Sequence, residues 1–200
     1  MGIEETRAAW DAEAVTFDEE PDHGLRDTSV REVWRELLSR HLPAAPARVA
    51  DLGCGTGTLS VLLAEQGYVV DGIDLSPEMV ARARAKAAEH PDELLVSFAE
   101  GDASAPRLEA GCYDVVLCRH VLWALPDPVS ALRRWAGLLV PGGAMLLVEG
   151  HWFNGAGLSA AECRRLLAAA GRDCEVVPLA EPAYWGREIS DERYLALSQA

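Results

Sequence analysis

The run Asp51-Leu52-Gly53-Cys54-Gly55-Thr56-Gly57 is the stretch of this sequence best suited to hold a ligand. It follows a short strand-like segment, residues 48–52, and opens a helical pattern at Thr58. Glycines there let the backbone turn tightly and approach a bound group closely. The free N–H groups of the helix N-terminus then face a polar or anionic ligand end. A dinucleotide site would carry G-x-G-x-x-G or G-x-G-x-x-A. Counted from Gly53 the third place is Thr58, and from Gly55 it is Ser60, so neither register fits. The spacing is D-x-G-x-G-x-G instead.

Other residues could handle protons. Asp22 and His23 are neighbours in an N-terminal turn, where a carboxylate and an imidazole can share a proton near neutrality. His120 follows Arg119 just past an apolar run, and His151-Trp152 follow another. Each has a plainer alternative: an exposed polar turn, a local loop contact, a cover for an apolar edge. His41 and His90 end helices, where a cation suits the dipole, and read as structural. Of the six tryptophans, Trp34 and Trp135 fall on helix stripes and read as core. Trp10, Trp123, Trp152 and Trp185 fall in loops or near the presumed active face, where they would suit a flat or cationic acceptor.

The elements that must position these groups alternate along the chain. Residues 3–14 predict a polar helix, interrupted by a loop from Phe17 to Arg26. Val30, Val33, Trp34, Leu37 and Leu38 make one buried stripe on a helix over 29–41. Strands are expected at 48–52, 68–74, 94–99, 113–118, 144–149, 174–179 and 193–198. Helices are expected at 58–66 with Gly67 as C-cap, 76–89 with Ser76 as N-cap, and 129–139 ended by Pro141-Gly142-Gly143. A further helix runs to Ala170 behind the Ser159/Glu162 capping box. The run Val115-Val116-Leu117 implies burial on both faces, as in a parallel sheet. The pattern predicts a three-layer α/β/α sandwich around a mostly parallel open sheet. Ligands in such sheets sit beyond the carboxyl ends of the strands.

VADLGCGTG at 49–57 resembles the first motif of class I, Rossmann-like S-adenosylmethionine-dependent methyltransferases. Further stretches resemble that family in order: VVDGIDLS, AEGDAS, YDVVLCRHVLWALPDP, LVPGGAMLLVE and the N-terminal WDAEAVTFD. The resemblance runs from about Trp10 to Ser198 and implies a seven-stranded sheet with an antiparallel C-terminal strand. It implies that Gly53, Gly55 and Gly57 line the methionine part of S-adenosyl-L-methionine, with Asp51 on its ammonium group. Asp74 would hold both ribose hydroxyls and Asp102 the adenine amino group, flanked by Leu75 and Ala103. Arg119 joins this cofactor-binding set. Phe17-Asp18 replaces the family's usual Tyr-Asp pair, which keeps packing on the cofactor and loses a hydroxyl. His120, His23 and Asp22 are the candidate catalytic groups, and Trp10, Trp123, His151 and Trp152 the candidate acceptor wall.

The implied activity is methyl transfer to O, N or S of a small molecule, releasing S-adenosyl-L-homocysteine. An NAD(P)-dependent oxidoreductase and a non-catalytic S-adenosylmethionine-binding protein are the alternatives. The broken glycine register speaks against the oxidoreductase. So does the missing Tyr-x-x-x-Lys relay, since Lys86 is the chain's one lysine and position 82 is Arg. A formal net charge of −14 with no basic stripe argues against nucleic acid, and Arg82–Lys86 reads as solvated helix surface. No metal is expected, because no carboxylate–carboxylate–His cluster follows the fourth and fifth strands. The acidic N-terminus lacks the apolar core of a secretory signal, and no apolar run approaches the ~20 residues of a membrane span. Five cysteines without CxxC spacing fit reduced thiols in a cytoplasmic protein. A single domain is expected over 1–200, with 1–44 as a helical lid and 45–200 as the cofactor-binding core. Monomer and homodimer both remain open.

Overall fold

The computed structural model describes residues 2–199. Seven strands form one sheet in the order β3-β2-β1-β4-β5-β7-β6. They are β1 (Arg48–Leu52), β2 (Val69–Asp74), β3 (Val96–Glu100), β4 (Tyr113–Arg119), β5 (Leu139–His151), β6 (Glu175–Pro178) and β7 (Glu192–Gln199). The first five pair in parallel, while β7 runs antiparallel to both β5 and β6. The chain therefore winds outward from β1 to β3, returns to β4 beside β1, and winds outward again. The switch point lies between β1 and β4, where ligands bind in such sheets.

Helices cover both faces: α1 (Ile3–Glu13), α2 (Pro21–Gly24), α3 (Thr28–His41), α4 (Thr58–Ala64), α5 (Pro77–Ala88), α6 (Pro128–Ala136) and α7 (Ala160–Ala169). Leu37, Leu38, Val49, Leu62, Val115 and Leu146 meet on one side of the sheet. Ala50, Val116, Leu132, Trp135, Met145 and Leu147 meet on the other. A side chain of this size contributes about 1.5–3 kcal/mol when fully buried. Consecutive β4 residues feed opposite faces, which is why its apolar run is continuous. Among the described residues no helix is long and apolar enough to cross a membrane.

Several boundaries differ from the expectation. Pro141 and Gly142 do not end a helix; they are exposed residues within β5, which already begins at Leu139. The β4–β5 register shifts between Tyr113 and Val115, and Gly142 takes φ +84° beside it, so the ladder absorbs the irregularity. Helix α6 accordingly stops at Ala136. Helix α4 ends at Ala64, and Gly67, at φ +88°, makes the turn into β2. The expected loop at 17–26 is folded: a 3₁₀ turn at Phe17–Glu19 leads directly into α2. Gly24 permits this, since a Cβ there would lie 2.2 Å from the Asp18 carbonyl oxygen. The N-caps at Ser76 and Ser159 form as the sequence predicts.

Candidate active site

The glycine turn joins β1 to α4 at the switch point. Gly53, Gly55 and Gly57 all have positive φ (76°, 54° and 74°), a region L-side chains avoid. A Cβ on Gly53 would strike Val121 at 2.3 Å, and one on Gly55 would meet the Phe17 ring at 3.3 Å. The turn is thus pressed between the loop after β4 and the N-terminal segment. Gly57 serves a different need: a Cβ there would strike Phe98 and Ala83, so its bareness is required by packing.

Asp51 and Asp74 close β1 and β2 under this turn, 2% and 9% exposed. Asp51 Oδ2 accepts a hydrogen bond from the Ser60 hydroxyl at 2.5 Å. Asp74 accepts from the Gly55 N–H at 2.8 Å and the Ser76 N–H at 2.9 Å. Neither forms an ion pair among the described residues. Burial, uncompensated by a contacting cation, pushes Asp51 up to about 6 and raises Asp74 as well. Asp102 lies just past β3, where the Gly101 N–H donates to the Asp74 carbonyl at 2.8 Å. Its carboxylate accepts from the N–H and hydroxyl of Ser104 at 2.7 and 2.8 Å. Ala103 is buried beside it and Leu75 half-buried.

The N-terminal segment is fastened over the turn. Asp18 accepts from the Thr56 hydroxyl at 2.5 Å and pairs with Lys86 at 2.9 Å. Lys86 also donates to the hydroxyls of Thr56 and Thr58, at 3.1 and 2.6 Å. Burial works to raise the Asp18 carboxyl, but the Thr56 and Lys86 contacts win and hold it below its ordinary value. Upstream, Asp11 accepts from the Ser76 hydroxyl at 2.5 Å. Lys86 is therefore no solvated surface residue, as its helix pattern had suggested. Its four-carbon stem reaches from α5 to Asp18 on the N-terminal segment.

Beyond β4 a chain of rings continues from the lid. Trp10 meets Phe17 edge-on at 6.5 Å, and Phe17 stacks on His23 at 4.2 Å. His23 faces His120 at 6.5 Å, and His120 meets Trp152 edge-on at 5.2 Å. Trp123 lies 5.5 Å from Trp152 and donates its indole N–H to the His120 carbonyl at 2.9 Å. His120 holds φ +60° while its N–H donates to the Val148 carbonyl at 2.9 Å. Burial and the Arg119 charge lower both imidazoles below their ordinary range, leaving them neutral.

Asp22 is 3% exposed and pairs with Arg193 at 3.2 Å, so it is not an exposed turn residue. Arg119 donates to the carbonyl oxygens of Asp22 and His23, at 2.6 and 3.5 Å. It thereby anchors α2 to the end of β4, with its guanidinium 5.4 Å from the Trp34 ring. Its hydrogen bonds go to the backbone of the N-terminal segment, while its charge also acts on Asp51 and lowers that carboxyl. Trp185 is not at an open active face: it is fully buried, donates to the Leu179 carbonyl at 2.7 Å and backs His120 from within. His151 is exposed at the end of β5, and the structure brings it to none of the other groups.

Sequence reasoning missed Asp11, Asp18, Lys86 and Arg193 as parts of this site. The signal for the first two was present, as the acids that follow Trp10 and Phe17 in WDAEAVTFD. For Arg193 there was none, because its partner Asp22 lies at the other end of the chain.

Comparison with known proteins completes the assignment. Residues 50–147 match the methyltransferase domain family. The ubiquinone biosynthesis O-methyltransferase of Xanthomonas axonopodis pv. citri is 36% identical over 138 residues, 69% of this chain and 54% of that protein. Its Xanthomonas euvesicatoria pv. vesicatoria counterpart is 37% identical over 141 residues. This chain is built on a class I S-adenosylmethionine-dependent methyltransferase domain. The family's cofactor is S-adenosyl-L-methionine. The chain spans about half the length of these curated relatives. Among solved structures, the methyltransferase seen with the Haloferax volcanii Trm112 activator superposes with a TM-score of 0.72 at 23% identity, covering 96% of this chain and 97% of that one. Geranyl diphosphate C-methyltransferase of Streptomyces coelicolor A3(2) gives 0.71 at 17% identity, covering 84% and 78%. Both share the fold.

The residues present suit that cofactor. Buried Asp51, with no contacting cation among the described residues, suits the ligand's ammonium, and Asp74 offers acceptor oxygens that suit ribose hydroxyls. Three positive-φ glycines give its main chain a close approach.

Proposed function

We propose that this protein moves the methyl group of S-adenosyl-L-methionine to an oxygen, nitrogen or sulfur of a small-molecule acceptor. The observation that carries this reading is the pair Asp51 and Asp74, buried beneath the glycine turn with no cation of the chain in contact. A site that raises both acids by burial is built for a cationic ligand.

In this reading Asp51 holds the ammonium group, and the turn at Gly53, Gly55 and Gly57 receives the methionine portion. Asp74 takes the ribose hydroxyls and Asp102 the adenine amino group, with Leu75 and Ala103 against the flat faces. Phe17 covers the site from the lid, residues 1–44, which Arg119 anchors through the backbone of α2. When bound, the cofactor supplies an activated methyl carbon for in-line displacement. The chain's own residues then need to align the acceptor and exclude water. Asp22, His23 and His120 form the acceptor-activating group, and Trp10, Trp123 and Trp152 wall the acceptor. The name of the Xanthomonas relatives favours an oxygen acceptor. All five cysteines are free thiols, which suits a cytoplasmic protein.

The test is calorimetric titration with S-adenosyl-L-homocysteine, on the wild type and on Asp74→Ala. The wild type should bind at micromolar concentration. The variant should bind at least ~100-fold more weakly, since it loses two hydrogen bonds to a charged group. Absence of binding to the wild type would sink the proposal.

A further inference from the structure

We propose that Asp22, His23 and His120 bind one first-row divalent transition-metal ion at the acceptor face. The proposal deepens the reading above by naming what activates the acceptor. The ion site itself stands on separate geometry.

The three side chains come from two distant parts of the chain, α2 and the loop after β4. Each offers a ligand atom, and these atoms lie within 4.8 Å of one another. Among the described residues, five buried side-chain polar atoms lack a hydrogen-bond partner, and three of them belong to this trio: Asp22 Oδ1, His23 Nδ1 and His120 Nε2. Buried polar atoms are nearly always satisfied, so three without a hydrogen bond on three adjoining side chains point to a missing ligand, even with the half-exposed Arg187 guanidinium 3.8 Å from Asp22 Oδ1. A single general base would account for one of them.

The surroundings hold the trio in place. Arg193 donates to Asp22 Oδ2 at 3.2 Å and is itself held by Asp191 at 3.1 Å and by the Trp185 ring at 4.4 Å. Outer contacts of this kind fix the direction of a ligating carboxylate. His120 keeps its left-handed backbone through the Val148 and Trp123 bonds, which aims its ring toward His23.

The donor set decides the kind of ion. Two imidazoles with one carboxylate suit zinc, iron(II) or cobalt(II), whereas magnesium and calcium prefer oxygen ligands. Three protein ligands leave a coordination position open, which an acceptor oxygen can take.

Cobalt(II) is the probe. Chelator-stripped protein is titrated with cobalt, and the visible d–d absorption of the bound ion is followed, with zinc as competitor. One equivalent should bind to the wild type. Binding should weaken by ~100-fold or more in His120→Ala and His23→Gln, and it should persist in His41→Gln. His23 is partly exposed, so its variant serves if His120→Ala loses its fold. Three results would overturn the proposal: no absorption in the wild type, absorption that survives both substitutions, or a thiolate charge-transfer band placing the ion on cysteines. The homocysteine titration is run on the same samples. Homocysteine binding without cobalt binding defeats only the metal site. Cobalt binding without homocysteine binding defeats only the cofactor reading.

Discussion

Asp51 is the residue whose ionisation should be visible in binding. Its folded-state value of about 6 means that lowering the pH from 7 to 5 protonates it in the free protein. An ammonium-bearing ligand prefers the charged carboxylate, so binding must expel that proton. S-adenosyl-L-homocysteine affinity should therefore fall by roughly tenfold per pH unit well below 6. Proton release below pH 7 should appear as a buffer-dependent heat in calorimetry. In Asp51→Asn both effects should vanish. His120 should behave in the opposite way. His120→Ala is expected to lower turnover by roughly 100-fold or more while homocysteine binding stays within about twofold of wild type, because the imidazole touches none of the groups assigned to the cofactor. Comparing single-turnover rates with calorimetry separates the two roles. Asp51 and Asp74 were legible because they sit at fixed offsets from a local motif. Asp22 and His23 were legible as a pair but not as buried, because their burial depends on Arg119 and Arg193.

At the level of elements, the N-terminal segment and the loop after β4 are each held by a charged side chain from elsewhere in the fold. Lys86 on α5 ties down the lid through Asp18. Lys86→Ala should speed homocysteine dissociation by about 3–10-fold, since a partly buried ion pair and its hydrogen bonds are worth on the order of 1 kcal/mol. It should also expose the Ala14–Thr16 link to limited proteolysis. Unchanged dissociation and cleavage would mean the lid is held by Phe17 packing alone. Glu149 on β5 does the corresponding work for the other loop: its Oε1 accepts from the N–H groups of Val121 and Leu122 at 3.1 and 2.8 Å. Burial pushes it up to about 8. The folded protein thus binds this proton more tightly than the unfolded chain does. Its stabilising effect is complete below the ordinary carboxyl value of 4.5 and is lost as pH rises through about 8. Glu149→Gln keeps the acceptor oxygen and cannot ionise, so its unfolding free energy in denaturant should exceed wild type increasingly from pH 6 to 9, by on the order of 1–3 kcal/mol at the top. Neither Lys86 nor Glu149 announced this role in the sequence. Strand and helix periods report which face a residue takes, whereas these contacts join elements that periodicity treats separately. The same blindness explains β5: Pro141-Gly142 reads as a break locally, and only pairing with β4 shows that it lies within a strand.

The whole molecule carries a formal net charge of −14, and the sequence stated that outright. What it could not state is where the charge is left uncompensated. The structure puts Asp51 and Asp74 beneath the glycine turn, while Arg193 is spent on Asp22 and Arg119 on backbone carbonyls. The long-range field and the local acids therefore act with the same sign on an entering ligand. S-adenosyl-L-methionine has one more positive charge than its homocysteine product, at the sulfonium, and otherwise the same contacts. The difference between the two ligands isolates the electrostatic contribution. The field is felt over a Debye length, about 30 Å at 0.01 M salt and about 8 Å at 0.15 M. Raising salt across that range should weaken the methionine ligand several-fold relative to the homocysteine ligand, mainly through a slower association rate. Parallel salt curves for the two would show that the buried acids act only at contact and that the surface charge plays no part. The same field repels polyphosphates, so immobilised single- or double-stranded DNA should not retain the protein at 0.15 M salt. Retention there would require a basic surface that the arrangement of these arginines does not provide.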